Sequence, residues 1–79
     1  MLLFITRKNG FRTLIDKVSG VDFPPNGNEV HYINKTGKIA TNHFVQLFDP
    51  EDTNPVVRIT VYSGGVELYT VRGAGLENA

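Results

Sequence analysis

The chain contains no cysteine, which excludes disulfides, thiol nucleophiles and cysteine-based zinc sites, so the fold is held by packing or by another subunit. No apolar run approaches the about 20 residues of a membrane span. The opening MLLFITR is too short for the apolar region of a secretory signal, and no small-residue cleavage site follows it. The expectation is a soluble, cytoplasmic protein without membrane contact. Net charge is also missing, because 8 Lys and Arg balance 8 Asp and Glu. No glycine-rich phosphate loop is present either, since Gly64-Gly65 is followed by neither a helix nor a GKS or GKT signature. With 79 residues there is room for one domain, and a domain this small buries only about 60% of the surface of its unfolded chain.

What the chain does have is alternation. Over residues 54–72, Val57, Ile59 and Val61 alternate with Arg58, Thr60 and Tyr62, and after Ser63-Gly64-Gly65 the pattern resumes through Val66, Leu68 and Thr70 against Glu67, Tyr69 and Arg72. Side chains of a strand alternate between faces, and glycine supplies the positive φ of a tight turn, so this is a β-hairpin turning at Ser63-Gly64 or Gly64-Gly65. Either turn puts Val57, Ile59, Val61, Val66 and Leu68 on one buried face, with Tyr62 and Tyr69 on the polar one.

Two further hairpins precede it. Residues 2–6 read as a strand, Asn9-Gly10 is a turn signal, and residues 11–18 return beside the first strand. A strict two-residue loop would set Arg7 against Arg12, so a longer loop over Arg7-Lys8-Asn9-Gly10 is expected. Phe11, Leu14, Ile15 and Val18 also fit helical spacing, but Thr13 and the β-branched residues favour strand. Pro24-Pro25-Asn26-Gly27-Asn28 is expected to be a loop. Next, Asn34-Lys35-Thr36-Gly37 is expected to join two strands through a bulged turn that places Ile33 opposite Ile39. Phe44, Val45, Leu47 and Phe48 form the most apolar cluster, as a strand buried on both faces or as one helical turn. An acidic, proline-bounded loop at residues 49–55 follows. The reading is an all-β domain over residues 1–73, of about six antiparallel strands in three hairpins, forming a small sandwich or partly open barrel, with a loose tail at residues 74–79. The alternative is an α+β fold with one short helix at 11–18 or 42–48.

Candidate chemistry is sparse. His31 and His43, even joined by Asp49 or Glu29, match no zinc spacing and read as surface or half-buried histidines. Ser19 and Ser63 sit in turn contexts with no sign of a triad, and Asn34-Lys35-Thr36, though a glycosylation sequon, reads as turn residues. No enzyme and no cofactor is therefore expected. Residues 1–40 carry six basic and three acidic side chains, and residues 41–79 carry two and five; the resulting dipole survives only if the halves stay apart in space. The preferred function is a protein-protein interaction or self-assembly module using Tyr62, Tyr69 and Arg58, because paired strands leave edges that a partner or a second copy can extend. The alternative is a small barrel binding single-stranded nucleic acid through Arg7, Lys8, Arg12, Tyr32 and Lys35, with Phe4 and Phe11 needed for the core.

Overall fold

A computed structural model describes residues 1–23 and 28–76. Seven strands are present: β1 (Leu2–Arg7), β2 (Arg12–Ile15), β3 (Val18–Asp22), β4 (Glu29–Thr36), β5 (Ile39–Gln46), β6 (Val56–Ser63) and β7 (Val66–Arg72), followed by a 3-10 turn η1 (Ala74–Leu76). They form two antiparallel sheets, ordered β2-β1-β6-β7 and β3-β4-β5. The all-β reading holds, and the sheets do not close into a barrel. The loop expected at Pro24-Pro25-Asn26-Gly27 lies outside the described residues.

The seventh strand arises where one was expected to run unbroken from Phe11 to Val18. Lys17 takes φ 56°, the left-handed region, and the chain leaves the first sheet there for the second. Both proposed helical segments are strand instead. Val18 then exchanges two backbone hydrogen bonds with Met1, at 3.2 and 2.9 Å, which ties the second sheet to the start of the first.

Loop chemistry sets the other registers. The Gly10 N–H donates to the Arg7 carbonyl at 2.9 Å and Gly10 has φ 89°, so the first turn spans Arg7-Lys8-Asn9-Gly10 and Arg12 faces Thr6, not Arg7. The third hairpin turns on Gly64-Gly65, both at positive φ, with Ser63 opposite Val66. The second departs from expectation: Thr36 faces Ile39 across a Gly37-Lys38 turn, and Ile33 faces Asn42. Positive φ at Gly37 alone suits a two-residue turn, which keeps both strands in register for eight residues.

The core lies where the two sheets meet. Leu3, Ile5, Val56, Ile59 and Val61 come from the first sheet, and Val18, Val30 and Leu47 from the second and the segment after it. Leu3, Val30, Ile59 and Val61 are 0% exposed, and burying each is worth about 1.5–3 kcal/mol. Phe23 closes one end by packing edge-on against Tyr69, with ring centroids 4.9 Å apart.

The expected apolar face of the third hairpin is only half right. Ile59 and Val61 are buried, but Val66 and Leu68 are 63% and 51% exposed. Val66, opposite Ser63, keeps its expected face but lies at the exposed end of the hairpin, and Leu68 is displaced by a bulge: Val61 faces Tyr69 and Tyr62 faces Glu67, which leaves Leu68 unpaired. One extra residue exchanges the faces of everything after it in β7, so Tyr69 joins the core side opposite Val61, while Glu67 stays outside opposite Tyr62. The cluster at 44–48 is not buried on both faces either, since Phe44 and Phe48 are exposed and Leu47 alone is fully enclosed.

Residues 73–76 return across β6. The Gly73 N–H donates to the Val57 carbonyl and the Ala74 N–H to the Leu47 carbonyl, both at 2.9 Å, so this part of the expected tail is stitched to the sheet.

Candidate interaction surfaces

Among the described residues four strand edges are open, two in the four-stranded sheet and two in the three-stranded one, and three of them carry features that obstruct pairing. β2 is four residues long and bears Arg12. β3 is bulged between Val18 and Gly20, ends in Asp22, and is hydrogen-bonded by Met1 at its start. β7 is bulged and bears Glu67 and Arg72. Bulges, short length and charged side chains are the usual means of keeping an edge from pairing.

β5 has none of these. Its eight residues, IATNHFVQ, contain no charged residue, no proline and no glycine, and they pair with β4 without interruption from Glu29–Gln46 to Thr36–Ile39. Seven of the eight are exposed, among them Ile39 at 71% and Phe44 at 59%. On one face Phe44 stacks on His31, and on the other His43 stacks on Tyr32, with centroids 5.8 and 5.1 Å apart. These stacks hold the aromatic side chains upright along the strand. Burial pushes the Tyr32 phenol above its ordinary pKa of 10.0. The two histidines point to opposite faces of the sheet, so they cannot share an ion, and His31 contacts Glu29 at 3.1 Å. Among the described residues no three His, Asp or Glu side chains gather as a metal site requires. Ser19, expected in a turn, lies in β3 at its bulge.

The second surface is the outward face of the first sheet. Register carries Arg12, Thr6, Arg58 and Arg72 into one row across all four strands, and Leu14, Phe4, Thr60 and Thr70 into the next. Tyr62 stands beside them on β6, opposite Leu2. Two shallow depressions lie along the arginine row, one of about 150 Å³ lined by Phe4, Arg12, Arg58 and Tyr62, the other of about 210 Å³ between Arg58 and Arg72. The Thr70 hydroxyl lies 3.3 Å from a Glu67 carboxylate oxygen, to which it donates its one proton, and 3.1 Å from the Thr60 hydroxyl, from which it then accepts.

The candidates read from the sequence are thus redistributed. Arg12, Arg58 and Tyr62, drawn from two different functional readings, meet on one face. Tyr69 turns inward against Phe23, and burial raises its phenol pKa as well. Arg7 is engaged elsewhere, 3.4 Å from Asp52 and donating to the Asn54 carbonyl at 3.1 Å. Lys8 sits in the first turn, where its backbone N–H donates to Pro55. Tyr32 and Lys35 belong to β4 in the other sheet. Phe4, assigned to the core, is half-buried on the outward face, and Phe11 is exposed. Arg72 was missed because the bulge hides its alignment with Arg58. No helix among the described residues is long and apolar enough to cross a membrane. No protein-family model, curated protein or solved structure matches the chain, so function has to be argued from these two surfaces.

Proposed function

We propose that the protein is a non-catalytic self-assembly module whose β5 edge pairs with β5 of a second copy. The observation that carries this reading is the contrast among the four edges: three bear obstructions and the longest regular one bears none. An unpaired strand edge offers alternating N–H and C=O groups, and two antiparallel copies of one edge satisfy each other. The uncharged sequence of β5 adds no like-charge penalty when the strand meets itself. Ile39 and Phe44, exposed in the single chain, would be covered by the neighbouring copy. A second copy is favoured over a charged partner because β5 offers no charge for such a partner to read.

Gel filtration with light scattering tests the proposal. The wild-type chain is expected to show a mass above its 8.8 kDa that rises with concentration, and a Thr41→Lys/Asn42→Lys variant, which places a cation on each face of the edge, is expected to stay monomeric. A wild-type protein that remains a strict monomer at high concentration, or a variant that associates as strongly as wild type, defeats the reading.

A further inference from the structure

The arginine row has no internal explanation. Arg58 and Arg72 are directly opposed on neighbouring strands, where like charges repel. Arg12 lies two strands further along the same row. Among the described residues none of the three forms an ion pair or a side-chain hydrogen bond, for Asp52 is taken by Arg7 and Glu29 by His31. Glu67, the acidic residue on this face, sits beside Thr70. Three unneutralised guanidinium groups are therefore held in line on a chain with net charge zero.

We propose that this face binds single-stranded nucleic acid, with Arg12, Arg58 and Arg72 on phosphates and Phe4 and Tyr62 under bases. Strands about 4.8 Å apart place Arg58 about 5 Å from Arg72 and about 10 Å from Arg12, so the cations are spread along about 14 Å of a path perpendicular to the strands. The guanidinium fork matches two phosphate oxygens at once. Phe4 and Tyr62 stand on the two central strands, beside the row and diagonal to each other, where an aromatic face can take a base irrespective of its identity. An acidic peptide would satisfy the arginines and leave the aromatics unused, so the nucleic acid uses more of what the face presents. Thr6, in the row between Arg12 and Arg58, adds a hydroxyl for the backbone.

Fluorescence anisotropy of a labelled oligothymidylate with the full chain, across a salt series, tests this. Binding is expected at low salt with a log K against log salt slope of about −2, from roughly 0.7 per neutralised phosphate on a single strand. Arg12→Gln, Arg58→Gln and Arg72→Gln are each expected to weaken it about tenfold, the worth of one charged hydrogen bond, and to flatten the slope by roughly 0.7. A Lys35→Gln/Lys38→Gln variant, altered on the far hairpin, is expected to bind as wild type. Arg12 is exposed on an edge strand, so its variant keeps the test meaningful should either central substitution disturb folding. The proposal is overturned by no binding at the lowest salt, by equal losses in the lysine variant, or by polyglutamate competing as well as unlabelled oligothymidylate, which would assign the row to an acidic protein.

Discussion

Replacing Gly73 by alanine isolates the contribution of the return across β6. The φ of Gly73 lies outside the left-handed region, so an alanine is barred by space and not by backbone preference. Its Cβ would fall inside contact distance of the Val56 carbonyl and 3.1 Å from that of Leu47, and because both neighbours are backbone, neither can swing aside. The segment has to lift, which breaks the Gly73–Val57 and Ala74–Leu47 hydrogen bonds, worth about 1 kcal/mol each. Lifting also uncovers part of Val56 and Leu47, 1% and 3% exposed, for about 1–2 kcal/mol more. Gly73→Ala is therefore expected to destabilise by about 3–4 kcal/mol. Gly20→Ala is the matched control: nothing lies within 4 Å of its added Cβ, and stiffening the unfolded chain should stabilise by about 0.4–1 kcal/mol. Urea unfolding followed by circular dichroism gives both values. If the two variants unfold within 0.5 kcal/mol of each other, as judged against the scatter of about that size expected for neutral surface changes, the close approach of the chain end is not what the geometry says it is.

Three other outcomes follow. Ile59→Ala, at the centre of the core and 0% exposed, should cost about 2–5 kcal/mol, whereas Leu68→Ala on the bulge should cost under about 1 kcal/mol; equal losses would mean the bulge is misplaced. Tyr32 and Tyr69 have folded pKa values raised above 10.0 by burial, so the stability they contribute is present below pH 10 and is lost as pH climbs through their folded values. Denaturant titrations on the alkaline side should show this decline, and it should shrink in Tyr32→Phe and Tyr69→Phe; an unchanged slope in both would refute the assignment. Gly64→Val should destabilise the third hairpin by about 1–2 kcal/mol, since Gly64 has φ 59° and a β-branched residue resists that region; a melting temperature equal to wild type would count against the turn.

The period-two pattern was enough for the fold class. It placed Ile59 and Val61 in the core and located all three hairpins, because strand geometry imposes alternation wherever one face is buried. Its failures sit at irregular backbone. A bulged residue in β7 carries no distinguishing chemistry, Leu68 fitting the alternation as well as any other apolar residue, and yet it moved Tyr69 to the core side. At Lys17 the positive φ occurs on a residue with no preference for it, so the crossing between sheets was unreadable and one strand looked like a continuation of another. The arginine row escaped for a different reason. Dividing the charges between the two halves of the sequence cannot see that β1 pairs with β6, which brings Arg12 from the basic half beside Arg58 and Arg72 from the acidic one. The merit of β5 as an edge was equally hidden, for its lack of charge matters only once its neighbours are known.

That β5 stands alone as an unobstructed border limits how far association can proceed. When a border joins its own two-fold mate it is consumed by the union, and the merged six-stranded sheet then terminates on both sides in β3, whose bulge and aspartate discourage any further addition. In the proposed pairing growth would stop at a pair, so the feature proposed to draw two molecules together would also withhold the means of building a fibre.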